Sequence, residues 1–167
     1  ANCDASRPSS AGAMLAVRGQ NYRPRLLIGT ENAVSREVRM LDPIVDPSLE
    51  GVAPEDWETI HAAMVGVTTE LRGTGRAAMA GTPYSVAGKT GTAQVFSVGQ
   101  DEKYDEELLD ERLRDHRWFF AYAPAEAPTI AVAVIVENGG SESSAAPVAR
   151  AVLDAYFESQ NYVAWNP

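Results

Sequence analysis

The chain has a single cysteine, Cys3, and two histidines, His61 and His116. One cysteine cannot close an internal disulfide, so no disulfide framework holds this fold, and cysteine usage does not indicate a compartment. The histidines lie far apart with no Cys or Glu at ligand spacing, which argues against a structural or catalytic zinc. Long apolar runs are missing as well. The longest, Thr129 to Val136, falls well short of the ~20 residues a membrane-spanning helix requires. No leader pattern of basic, apolar and small residues opens the chain. Basic charge is scarce, with 14 Lys+Arg against 23 Asp+Glu and a formal net charge of -9. Without a basic stripe, nucleic acid is not an expected partner. No internal repeat occurs, and neither a metal nor another cofactor is expected.

What is present fits one globular α+β domain. The 167 residues are 45% hydrophobic, enough for a core, and Gly and Pro are scattered. Ala1 to Ser10 reads as loop, and Ala11 to Val17 as a short helix ending at Gly19. Leu26-Leu27-Ile28 reads as a short strand stopped by Gly29. Asn32 to Pro54 reads as an exposed excursion with one short strand around Val38 to Leu41. The clearest helix is Pro54 to Leu71. Trp57, Ile60, Met64, Val67 and Leu71 recur at helical spacing and predict one buried face. Pro54 suits the first turn, and Glu55, Asp56 and Glu58 complement the positive end of the helix dipole.

The second half reads as strand, excursion, strand, short turn, strand and helix. Tyr84 to Val98 is the first strand. An acidic stretch from Gly99 to His116 follows, read as a solvated surface with one or two helical turns, and alternatively as a lid or partner-binding element. Arg117 to Ala123 and Thr129 to Glu137 form the next two strands, joined at hairpin length by Pro124 to Pro128. Asn138-Gly139-Gly140 is a turn. Ser143 or Ser144 caps a last helix, with Val148, Ala151, Val152, Ala155 and Tyr156 as its apolar face. The expected division is therefore 1–53 (an unusual start and excursion), 54–159 (sheet and helices) and 160–167 (a tail). Three consecutive antiparallel strands backed by helices are an α+β arrangement.

The stretch that carries chemistry is Lys89-Thr90-Gly91-Thr92. It combines a cation that reads as buried, two hydroxyls of one strand parity, and a glycine where a backbone or neighbour comes close. Taken alone it fits an ordinary sheet strand with polar residues on an exposed face. Among the remaining candidates, His116 reads as a hydrogen-bonding residue between loop and strand, or as lining a cleft. Trp118, Phe119, Phe120 and Tyr122 read as core, with one of them able to flank a groove.

Ala87 to Gln94 resembles the third active-site motif of class B penicillin-binding proteins, whose K-T-G triplet is shared with serine β-lactamases. Leu113-Arg114-Asp115-His116 before Trp118 to Pro124 is similar to the segment after that motif in the elongation-type group, penicillin-binding protein 2. Val136-Glu137-Asn138-Gly139-Gly140 with Pro147 to Arg150 resembles its closing strand, turn and helix, and Gly73-Thr74-Gly75 the loop leading to the motif strand. The match is good from about Trp57 to Tyr156 and patchy before.

This resemblance implies the C-terminal part of a transpeptidase fold that crosslinks peptidoglycan stem peptides through a serine acyl-enzyme. Thr90 and Thr92 would hold the carboxylate of D-Ala-D-Ala or of a β-lactam. Lys89 would add positive potential and assist proton transfer, and the Thr92 backbone N–H would be one oxyanion-hole donor. The family's partners would be a glycan polymerase and rod-shape scaffold proteins, at an inner-membrane anchor in the periplasm. The family's serine motifs S-x-x-K and S-x-N lie upstream of K-T-G, and neither stands there in this sequence (the one S-x-N, Ser159-Gln160-Asn161, lies downstream), so the chain alone is expected to be inactive. Leu113 to His116 argues against a division-type enzyme or a β-lactam sensor. A non-catalytic binding or scaffolding module is the alternative that the missing serine motifs favour.

Overall fold

The computed structural model describes residues 6–95, 109–140 and 145–164. The elements in chain order are α1 Ser6–Ala16, β1 Asn21–Tyr22, β2 Gly29–Glu31, β3 Val38–Met40, β4 Val45–Asp46, α2 Pro54–Thr69, α3 Arg76–Met79, β5 Ala87–Ala93, a 3-10 turn at Glu111–Leu113, β6 His116–Ala123, β7 Ile130–Val136 and α4 Ala145–Ala164. The main sheet is antiparallel, in the order β5-β6-β7. This is the expected α+β class.

The central strand β6 organises two layers because its side chains alternate between faces. Phe119, Ala121 and Ala123 enter one core with Met79 of α3 and Ala145, Ala146, Ala149 and Leu153 of α4. Phe120 and Tyr122 face the other, with Ala16 of α1 and Met64 of α2. Phe119, Tyr122 and Leu153 are the largest fully buried side chains. Burying a side chain of that class contributes roughly 1.5–3 kcal/mol. The β6–β7 connection closes at the expected hairpin, where the Thr129 amide donates to the Ala123 carbonyl at 2.9 Å.

Helix α2 starts at Pro54 as predicted, but its buried face is narrower than the apolar spacing suggests. Trp57, Met64 and Thr68 are buried, whereas Leu71 lies beyond the helix and is exposed. Thr68 is inward because its hydroxyl donates to the carbonyls of Val65 at 2.9 Å and Val86 at 2.5 Å. The second bond ties the helix to the residue just before β5. Strand β5 begins one residue later, at Ala87, instead of at the expected Tyr84. Residues 96–98 of the expected strand and most of the acidic stretch lie outside the described residues.

Other expectations shift in register. The short strand expected at Leu26-Leu27-Ile28 lies instead at Gly29–Glu31, paired with Val38–Met40. Leu26, Leu27 and Ile28 are exposed, because no helix among the described residues packs on this small ribbon to reward burying them. Helix α1 begins at Ser6 inside the expected loop, with Pro8 in its first turn where its missing N–H is not needed. It closes where the Gly19 amide donates to the Met14 carbonyl at 2.8 Å. On α4 the expected apolar face is wrong: Val148 is 46% and Val152 44% exposed, while Ala149 and Leu153 are at 0%. The stripe one residue further on faces the sheet, and α4 continues to Ala164, past the expected tail at Gln160.

Candidate functional site: a groove along the edge strand

Lys89, Thr90, Gly91 and Thr92 all lie on β5, an end strand of the main sheet. Their register partners on β6 are Phe120, Phe119, Trp118 and Arg117 respectively. Directly opposed residues share a face. Thr90 and Thr92 therefore stand with Phe119 and Arg117, and Lys89 and Gly91 with Phe120 and Trp118, as the alternation predicts. A groove of about 430 Å³ wraps this edge and is lined by the four motif residues with Thr74, Arg117 and Trp118.

Each threonine hydroxyl is held from a different element. Thr74 sits in the loop after α2, and its Oγ1 lies 2.7 Å from Thr90 Oγ1. That loop is folded back on the helix, with the Gly75 amide donating to the Val67 carbonyl at 2.9 Å. From β6, Arg117 Nη1 donates to Thr92 Oγ1 at 2.5 Å. Lys89 is exposed, not buried as its setting suggested, because an edge strand leaves its side chain beside open groove. Its Nζ donates to the Thr90 carbonyl at 2.6 Å.

Gly91 is required by its neighbour. A Cβ there would stand 1.8 Å from Trp118 Cε2, so the indole occupies the place of any side chain. The Trp118 ring is in turn stacked on Phe120, with centroids 5.8 Å apart and planes 9° from parallel.

The Asn138-Gly139-Gly140 turn holds the start of β6. The Asn138 amide donates to His116 Nδ1 at 2.9 Å, Asn138 Nδ2 donates to the Arg114 carbonyl at 3.0 Å, and the Gly140 amide donates to the Asp115 carbonyl at 3.1 Å. His116 is thus the loop-to-strand hydrogen-bonding residue of the first expectation, absent from the groove lining. His61 does not line the groove either; its Nδ1 lies 3.0 Å from the Tyr122 hydroxyl. No cluster of metal-ligating side chains is present among the described residues.

At the entrance to β5, the Tyr84 hydroxyl donates to Asp154 Oδ1 at 2.5 Å and Arg150 Nε donates to Oδ2 at 2.7 Å. Burial and the facing carboxylate push the Tyr84 phenol well above the usual tyrosine range. The same bond, then Arg150, holds the Asp154 carboxyl below its ordinary value. Arg150 also donates to the Ala78 and Ala80 carbonyls, so α4, α3 and the approach to β5 are joined.

Residues 10–154 match the model of the penicillin-binding protein transpeptidase domain. The chain belongs to the penicillin-binding protein transpeptidase family. The match reaches back across the excursion and into α1, where the motif resemblance is patchy. Among its relatives, the peptidoglycan D,D-transpeptidase MrdA of Haemophilus influenzae is 41% identical over 153 residues, which cover 91% of this chain and 23% of that protein. Penicillin-binding protein 2 of Pseudomonas aeruginosa, solved in complex with WCK 5153, is 36% identical with a TM-score of 0.63, over 87% of this chain and 28% of that one. Penicillin-binding protein A of M. tuberculosis, solved as an imipenem acyl-enzyme complex, is 28% identical with a TM-score of 0.67, over 92% and 30%. The transpeptidase segment described here therefore spans about a quarter of the length of such relatives.

Two groove residues carry no site signal in the sequence: Thr74 reads only as part of a Gly-Thr-Gly loop and Arg117 as the start of a strand. Trp118 is the one of the four candidate aromatics that flanks the groove. The signal for Arg117 and Trp118 is the β5–β6 register. A long excursion, not a tight turn, joins those strands, so no turn geometry gives the pairing away.

Proposed function

We propose that this chain is the C-terminal portion of a peptidoglycan D,D-transpeptidase of the penicillin-binding protein 2 type. The observation that carries the reading is the placement of Lys89-Thr90-Gly91-Thr92 along one groove, in a chain of this family. Thr90 and Thr92 bind the terminal carboxylate of a D-Ala-D-Ala stem peptide, or of a β-lactam, by charge-assisted hydrogen bonds. Lys89 supplies positive potential toward the nucleophile region. The Thr92 amide serves as one oxyanion donor. In an antiparallel edge strand, N–H and C=O groups of alternate residues point away from the sheet. The Thr90 carbonyl accepts from Lys89, which suits an outward direction for Thr90 and, by parity, for the Thr92 amide.

The acylating serine of such an enzyme lies in S-x-x-K, with an S-x-N motif beside it, both upstream of K-T-G; this sequence has no S-x-x-K, and its one S-x-N, Ser159-Gln160-Asn161, lies downstream of K-T-G. The nucleophile wall of the cleft comes from another portion of the protein. By family, the full enzyme is anchored in the inner membrane, faces the periplasm, and works with a glycan polymerase and rod-shape scaffold proteins. No helix among the described residues is long and apolar enough to cross a membrane. The missing serine motifs also support a second reading, a non-catalytic module with a transpeptidase fold.

Sequencing the gene upstream and labelling its full product with fluorescent penicillin separates the two. An upstream S-x-x-K and a covalent label lost on mutating its serine are expected. No motif and no label would leave the module reading.

A further inference from the structure

The geometry points to Arg117 as a second cation for the substrate carboxylate, and as the residue that fixes the donor direction of the Thr92 hydroxyl. The assignment rests on the transpeptidase reading above. Arg117 is not a loose surface arginine. Its Nε donates to the Gly140 carbonyl, and its Cγ passes so close to Gly139 that a Cβ there would lie 3.3 Å away. The turn that seats it is bonded to three successive residues before it, Arg114, Asp115 and His116.

The bond to Thr92 has a chemical consequence. A guanidinium only donates, whereas a hydroxyl both donates and accepts. Thr92 Oγ1 accepts from Arg117 Nη1 at 2.5 Å, so its own proton is left to donate to a ligand. The same contact puts a permanent positive charge against the hydroxyl that would grip the carboxylate. The two bonds use two of the five guanidinium donors.

Charge balance sharpens the case. The chain carries a formal net charge of -9, yet among the described residues the groove is lined by two cations, Lys89 and Arg117, and by no carboxylate. A groove of that sign in an acidic chain selects an anion. Arg117 therefore makes the site discriminate a free carboxylate from a neutral group in the same position.

The experiment compares benzylpenicillin with its methyl ester, as second-order acylation rates of the full-length transpeptidase carrying this chain. A charge-assisted hydrogen bond of this kind is worth about 1.5–3 kcal/mol, or about 10–100-fold in rate. Arg117→Met is expected to lower the penicillin rate by that factor and to change the ester rate less than about 2-fold. Arg117→Lys, which keeps charge without the fork, is expected to lose about 3–10-fold on penicillin alone, and decides the matter if the Met variant does not fold. Equal losses on both compounds, or no loss on penicillin, would overturn the assignment. A wild-type protein that penicillin does not acylate would overturn the transpeptidase reading, and this assignment with it.

Discussion

Gly91 and Trp118 face each other across β5 and β6, and the indole fills the space in which a side chain at 91 would begin. Gly91→Ala therefore has no small adjustment open to it, and Trp118 or the strand must move. The expected cost is about 1–3 kcal/mol of stability, with a loss of penicillin acylation because the displaced ring borders the groove. Shrinking the indole should relieve it. In a double-mutant cycle with Trp118→Ala, the coupling energy is expected to be favourable by at least about 0.5 kcal/mol. Additive effects in thermal melts would show that the two sites do not compete for space.

Thr74 tests whether the Thr90 hydroxyl needs a holder. Thr74→Val keeps the shape and deletes the partner at 2.7 Å. A neutral hydrogen bond contributes about 0.5–1.5 kcal/mol, so acylation should slow by roughly 2–10-fold. Thr74→Ser should restore it. Identical rates in stopped-flow labelling of the full-length transpeptidase with Thr, Val or Ser at this position would remove Thr74 from the site.

The Tyr84–Asp154 pair predicts a pH window. The Asp154 carboxyl is held low by Tyr84, so its stabilisation is present above the ordinary carboxylate range and lost as pH falls through its lowered value. The Tyr84 phenol is pushed up by burial and by Asp154, so its share is lost as pH rises past the usual tyrosine range. Tyr84→Phe should accordingly lower the melting temperature near neutrality and converge with wild type in acid. A deficit that stays constant down to acid pH would point to packing alone.

His116 accepts the amide of Asn138, which sits at φ 55°. His116→Phe leaves that partly buried amide without its acceptor, at a cost of roughly 1–3 kcal/mol. Amide hydrogen exchange at Asn138 should quicken, and the Arg117 seat should loosen with it. Protection unchanged from wild type would mean that the turn holds itself.

The isolated chain should take no covalent label from fluorescent penicillin, since no S-x-x-K serine is in it. It should also associate. Val148, Val152, Leu26 and Ile28 are exposed, and apolar surface of that kind is poorly tolerated in water. Labelling of the 167-residue chain, or a cooperative, high-melting monomer in ultracentrifugation, contradicts these expectations.

Much of the fold was legible because periodicity is a local property. The β6–β7 hairpin, the start of α2 and the Asn138-Gly139-Gly140 turn follow from alternation, proline and glycine placement. What was misread depends on partners distant in sequence. Thr68 is buried for the sake of Val86, and the α4 stripe is chosen by the sheet it meets. The motif's alternation on β5 was readable from four residues. Its companions Thr74, Arg117 and Trp118 reach the groove only through strand register and the folded-back end of α2, and no local pattern encodes either.

Strand β6 supplies Arg117 and Trp118 to the groove, and its following residues are the middle of both helical layers. A molecule gripped at the groove is therefore gripped by the strand on which the whole domain is assembled. Occupancy should be readable far from the site, as a rise in melting temperature that grows with ligand concentration. Thermal shift then becomes a direct way to rank ligands, including those that bind without reacting.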